Sequence, residues 1–126
     1  MKMKTIGTIL SVTILSTTAM AVDAGIVQDD NKADTNKYAA KELKAQDWSS
    51  AETALLGKSF AKEDEVFAKL NLAFVYGTTG RQAEAVAMYK EILNGKENPY
   101  ALLRNGKTNR VKTIAKKALR RLGEQG

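Results

Sequence analysis

The sequence contains neither cysteine nor histidine among its 126 residues. Without cysteine the chain can form no disulfide and no thiolate metal site, and it cannot carry a lipid on an N-terminal cysteine. Without either residue, Ser-His-Asp and Cys-His catalysis are excluded, as are the usual zinc and haem ligands. Only carboxylate, lysine, tyrosine or serine chemistry remains. We therefore expect a protein that is not an enzyme and binds no cofactor and no metal.

The sequence also lacks a long apolar run. The apolar stretch from Ile6 to Leu15 is about half the roughly 20 residues that a membrane-spanning helix needs. Two lysines precede it, and small residues ending at Ala21 follow, which is the order of a secretory signal peptide. We predict a signal peptide over residues 1–21, cleavage near Ala21, and a periplasmic or secreted protein. A bacterial periplasm suits a cysteine-free exported chain, because disulfides are permitted there but not required.

Residues 22–31 show no sustained period and contain closely spaced aspartates and a glycine, so we predict a flexible leader there. Apolar residues after this leader recur at three- and four-residue steps, which is the helical period. We predict five short helices and no strand. The first runs from about Asp34 to Ala45, and the second is capped by Asp47 and ends near Gly57. Three more are expected: one from 62–65 to about 80, one ending at a left-handed Asn94-Gly95, and one capped by Thr108 or Asn109.

Internal similarity gives the strongest signal. Ala39 and Ala73 are 34 residues apart, as are Ala51 and Ala85, and 34 is the period of the tetratricopeptide repeat. The segment Leu72-Ala73-Phe74-Val75-Tyr76, followed by Gly80, Ala85, Tyr89 and Ile92-Leu93, resembles the large, small, aromatic, glycine pattern of that family.

The resemblance covers residues 32–98, with a clear copy at 66–98 and a degenerate copy at 32–65. It implies an all-α fold: antiparallel helix pairs of a short tetratricopeptide-like α-solenoid, closed by a linker and basic capping helix over 99–126. About three repeats are usually needed for a stable array, so two repeats and a cap make self-association a further expectation.

The resemblance also implies a function. First helices of such repeats line a concave face that takes a peptide or partner helix, so we expect an exported protein-protein interaction module, a scaffold or adaptor that binds another envelope protein or peptide. The candidate partner-binding residues are Phe67, Leu70, Asn71, Phe74 and Thr78. Their apolar members could equally pack against the neighbouring repeat.

Charge is concentrated at the C-terminal end. Residues 104–126 hold eight basic residues and one glutamate, a net charge of +7, whereas the whole chain carries +6. A solvated cap, an acidic protein contact and a contact with anionic lipid all remain open for this basic surface, the last two as an alternative function. Export argues against nucleic acid, and no aromatic residue after Tyr100 could stack bases. The candidate basic surface consists of Arg110, Lys112, Lys116, Lys117, Arg120 and Arg121.

One acidic run invites a catalytic or metal-binding interpretation. Glu63, Asp64 and Glu65 are adjacent in sequence, so on a helix they would point in different directions. Carboxylates in a first helical turn commonly complement the helix dipole. We expect that role rather than acid/base chemistry.

Overall fold

The computed structural model describes residues 27–29, 36–103 and 105–123. The predicted signal peptide and its cleavage site lie outside these residues. Within them the chain forms five helices and three short strands, so the prediction of a mainly helical chain is confirmed and the prediction of no strand is wrong. The elements are, in chain order, β1 (Val27–Asp29), α1 (Ala40–Lys44), α2 (Trp48–Leu56), α3 (Glu65–Thr78), α4 (Gln82–Asn94), β2 (Tyr100–Leu103), β3 (Thr108–Arg110) and α5 (Val111–Arg121).

The two longest helices, α3 and α4, form an antiparallel hairpin at the centre of the fold. Gly80 turns the chain between them with a φ of +87°, a conformation that favours glycine. Small residues bring the two helices close: Ala73 and Ala85 are fully buried, and a Cβ placed on Gly77 would lie 3.6 Å from that of Ala85. This hairpin matches the predicted third and fourth helices.

The helices before the hairpin match the predictions less closely. Helix α2 is capped as expected, because the Asp47 carboxylate accepts a hydrogen bond from the Ser50 amide at 3.2 Å, and it ends just before Gly57. Helix α1 has only five residues, and the predicted start near Asp34 is wrong, since residues 36–38 form a turn and Ala39 adopts a left-handed φ of +63°. The degenerate copy thus has a shortened first helix.

A three-stranded antiparallel sheet replaces much of the predicted linker. Its order is β1-β2-β3; Val27 pairs with Leu103, and Tyr100 pairs with Arg110. Residues 27–29 of the predicted flexible leader are therefore part of a sheet. Gly106, with a φ of +85°, lies in the connection between β2 and β3.

The start of α5 is capped from a distance. The predicted caps Thr108 and Asn109 are wrong, because both residues belong to β3. Instead, the Lys112 amide donates to the Asn98 side-chain oxygen at 3.1 Å, and the Val111 amide donates to the Pro99 carbonyl at 3.0 Å. The loop after α4 thereby satisfies amides that the helix itself leaves unpaired.

The end of α4 also differs from the prediction. Gly95 is extended, with φ −77° and ψ 171°, rather than left-handed.

The apolar stripe predicted for α5 is buried as expected, at Val111, Ile114, Ala115, Ala118 and Leu119. No helix in the described part of the chain is both long enough and apolar enough to cross a membrane.

Candidate basic interface

The structure buries most of the predicted partner-binding residues. Phe67, Leu70 and Phe74 belong to the hydrophobic core, Asn71 is a buried polar residue, and Thr78 is half-buried at the end of α3. The chain's own N-terminal elements cover this face of α3. The rings of Tyr38 and Phe67 lie 5.3 Å apart, and those of Trp48 and Phe74 lie 5.8 Å apart, edge to face. The face on which these four side chains were expected is thus filled by the chain itself, in agreement with the alternative that its apolar members pack internally.

Asn71 shows this filling most directly. Its side chain is 0% exposed, and its Nδ2 donates to the backbone carbonyl of Tyr38 at 2.9 Å. The resemblance assigns this asparagine to holding a ligand's backbone. In the structure the backbone that it holds belongs to the same chain.

Asp64 anchors the same segment. Its carboxylate is only 2% exposed and accepts from the Tyr38 hydroxyl at 2.7 Å, while the Lys37 ammonium lies 2.6 Å from its second oxygen. Asp64 precedes α3 but makes no side-chain capping bond there. Its acidic neighbours Glu63 and Glu65 are exposed. The acidic run therefore contributes a buried carboxylate that pairs with half-buried Lys37, a role that its sequence pattern did not reveal.

Arg81 links α2 to the turn of the central hairpin. Its guanidinium makes two hydrogen bonds to the Glu52 carboxylate, one of them 2.9 Å long, and lies 4.3 Å from the centre of the Tyr76 ring. The hydrogen bond from Arg81 lowers the pKa of Glu52, and the same bond raises the pKa of Arg81. All of these contacts are internal.

The six predicted basic-surface residues separate into two groups. Arg110 donates to the Asn98 carbonyl at 2.8 Å and stacks 4.3 Å from the Tyr100 ring centre, while the Lys112 ammonium donates to the Gly95 carbonyl at 2.6 Å. These two side chains fasten the start of α5 to the loop after α4, so part of their role is structural.

The other four, Lys116, Lys117, Arg120 and Arg121, are exposed on α5, a helix that contains no acidic residue. Lys116, Lys117 and Arg120 form no salt bridge with any residue that the structure describes. Arg121 acts on buried Tyr89: burial raises the pKa of that phenol, and the arginine charge opposes the rise. This end of the molecule thus presents positive charge to solvent.

A surface groove of about 810 Å³ lies between α4 and α5 on this basic side. Its α5 wall carries Lys112, Lys116 and Arg120, and its α4 wall carries Lys90 and Asn94. Among the residues that the structure describes, no acidic side chain lines it. Sequence reasoning missed the contribution of α4, because Lys90 and Asn94 are ordinary surface residues of an amphipathic helix until the packing partner is known.

Comparison of the chain with protein-family models, with curated proteins and with solved structures found no match. Within the described ranges, no three Asp, Glu, His or Cys side chains are grouped so that they could hold a metal ion.

Proposed function

We propose that this chain is an exported, tetratricopeptide-like interaction module that binds an acidic partner protein through the basic face of α4 and α5. The observation that carries the proposal is the row of exposed, like-charged side chains on α5 without acidic neighbours on that helix. Such a one-signed surface attracts an oppositely charged partner and accelerates encounter.

The tetratricopeptide-like architecture is supported by the α3–α4 hairpin. Its helices have 14 and 13 residues, its turn contains a left-handed glycine, and alanines lie at the helix contact. The shortened α1 and the filled face of α3 argue against an extended concave binding surface. We therefore assign binding to the opposite, C-terminal end of the array.

A partner protein is favoured over the lipid alternative by the composition of this face. Membrane-surface helices combine a basic face with large apolar anchors on the other face. In α5 the apolar stripe is buried against the protein, so it is not available to enter a lipid interface. An acidic protein surface needs no such insertion.

The proposal is tested with two anionic probes, poly-L-glutamate and vesicles containing phosphatidylglycerol, over a salt series. We expect binding to polyglutamate that weakens as salt rises, because surface charge interactions are screened. Binding should be lost in a variant whose four exposed α5 cations are replaced by glutamine. A matched control removes the same charge from exposed positions elsewhere, at Lys41, Lys44, Lys62 and Lys96.

Three outcomes oppose the proposal. Absence of binding to both probes would leave α5 as a solvated cap. Binding to vesicles alone would favour the lipid alternative. Equal loss in the α5 variant and in the control would show that net charge, rather than this face, determines binding.

A further inference from the structure

The proposed function does not specify which structural element of the acidic partner is bound. The groove between α4 and α5 indicates that element. Resting on that proposed function, we infer that the groove binds an acidic α-helix of the partner whose carboxylates recur every four residues. Two features of the groove support this occupant: the spacing of its cations and the helical nature of its walls.

The cations of the α5 wall form a row. Lys112, Lys116 and Arg120 are separated by steps of four residues, and all three line the groove. With a rise of about 1.5 Å per residue, neighbouring cations are about 6 Å apart along the axis and the row is about 12 Å long. A single small anion would meet only part of such a row, whereas a linear ligand would meet all of it.

A helix carries side chains at the same interval. Carboxylates at positions i, i+4 and i+8 are also spaced by about 6 Å along the axis and share one side of the helix. A partner helix lying along the groove could therefore place one carboxylate beside each of the three cations. Asn94, on the opposite wall, offers amide donors to the same carboxylates.

The walls favour a helix over an extended segment. An extended peptide presents unpaired backbone N–H and C=O groups, which need partners when they are covered. Both long walls of this groove are α-helices, whose own backbone groups are paired along the helix. A bound helix satisfies its backbone internally and requires only side-chain contacts.

The remaining lining of the groove is compatible with this occupant. The groove, about 810 Å³ in volume, is open to solvent, so a linear ligand can enter it from the side. Half-buried Leu93 supplies an apolar contact within the groove. The described lining residues include no carboxylate that would repel those of the partner.

The experiment compares three synthetic peptides with the purified chain, using calorimetry or fluorescence anisotropy. All are rich in alanine and glutamine and contain three glutamates. In the first the glutamates are four residues apart. In the second they are five residues apart and point to three different sides of the helix. The third keeps the four-residue spacing but has a central proline, which breaks the helix.

We expect the first peptide to bind about five times more tightly than the other two, since several exposed ion pairs of modest strength act together. Equal affinity for all three peptides would overturn the inference, because neither spacing nor helicity would then matter. Binding of polyglutamate without any preference among the peptides would leave the proposed function standing. Failure of every acidic probe would remove the proposed function as well.

Two double variants locate the contact. Lys116→Gln with Arg120→Gln removes charge from the groove, and Lys44→Gln with Lys62→Gln removes the same charge from exposed positions outside α4 and α5. We expect the groove variant to bind the first peptide about fivefold more weakly and the control to change less than about twofold. Equal weakening in both would refute the groove assignment. Circular dichroism checks folding, and Lys116→Gln alone provides the same comparison if a double variant unfolds.

Discussion

Replacing Asn71 with leucine distinguishes a structural residue from a ligand-binding one. The Nδ2 of Asn71 donates to the Tyr38 carbonyl at 2.9 Å, and both residues are buried. Leucine has a similar size but no donor, so the substitution deletes this hydrogen bond inside the core. Leaving a buried acceptor without its donor costs about 1–3 kcal/mol. Burial of the leucine itself offsets part of that cost, so we expect a loss of about 1–2 kcal/mol in the free energy of unfolding.

The assay is urea unfolding followed by far-ultraviolet circular dichroism, complemented by thermal melting. For a domain of this size, each kcal/mol lowers Tm by about 4–8 °C. Asn94→Leu is the control, because it makes the same substitution at the exposed last residue of α4 and should alter stability by less than about 0.5 kcal/mol. Unchanged stability in Asn71→Leu, together with lost partner binding, would refute the reasoning and restore Asn71 as a ligand-binding residue.

Four other substitutions test contacts elsewhere, each by urea unfolding. Asn98→Ala removes the side-chain cap of α5 and should cost about 1 kcal/mol. Gly80→Ala should also cost about 1 kcal/mol, through backbone strain alone, because φ is +87° and nothing lies within 4 Å of the added Cβ. Lys116→Gln should stabilise the free chain by up to about 0.5 kcal/mol, since it removes like-charge repulsion along α5. Arg81→Gln should change how the free energy of unfolding depends on pH. The hydrogen bond from Arg81 lowers the pKa of Glu52 in the folded chain. The stabilisation from this bond is therefore present above the unfolded pKa of about 4.3 and is lost as the pH falls toward the lower pKa of the folded chain.

Control variants and contrary results make these substitutions decisive. Asn94→Ala, at the exposed end of α4, should cost less than Asn98→Ala, and an equal cost would argue against the distant cap. A Gly80→Ala variant as stable as the natural chain would argue against the left-handed turn. Lys41→Gln removes one exposed positive charge and is the control for Lys116→Gln and Arg81→Gln. If the natural chain and Arg81→Gln lose stability in parallel down to about pH 3, the ion pair with Glu52 contributes nothing.

The central hairpin could be predicted from sequence because its signals are local. Apolar residues at helical spacing define α3 and α4, and a glycine lies where the chain must reverse between them. The apolar stripe of α5 was predictable for the same reason. Each of these features depends on residues within one or two helical turns of one another.

The sheet and the α5 cap could not be predicted in this way. Strands of three or four residues, such as β2 and β3, are too short to display a two-residue alternation. The cap of α5 is supplied by Asn98, which is separated from Lys112 by a loop and two strands. Thr108 and Asn109 have side chains that can cap a helix and lie shortly before α5 in sequence, but both residues belong to strand β3 instead.

The sequence also left open whether the side chains of α3 bind a partner or pack in the core, for a different physical reason. Apolar and amide side chains such as Phe67, Leu70 and Asn71 suit the floor of a peptide groove and the centre of a protein core equally well. The sequence of α3 cannot distinguish the two cases, because the difference lies in what covers the helix. Here Tyr38 covers it, held in place by Asp64, and that contact joins residues 26 positions apart.

The cations of the basic face differ in whether the folded chain compensates their charge. Arg120 and Arg121 lie in the last turn of α5, where positive charge complements the helix dipole, and Lys112 bonds to a backbone carbonyl. Lys116 has neither compensation: it lies mid-helix, one turn from Lys112 and one turn from Arg120, and forms no salt bridge with a described residue. Like charges at that spacing destabilise a helix by about 0.2–0.5 kcal/mol per pair. Lysine suits an exposed helix position, but glutamine would suit it equally well without the repulsion, whereas a carboxylate from a partner would turn the repulsion into attraction. Lys116 is therefore the residue at which the stability of the free chain and its proposed binding are most directly opposed.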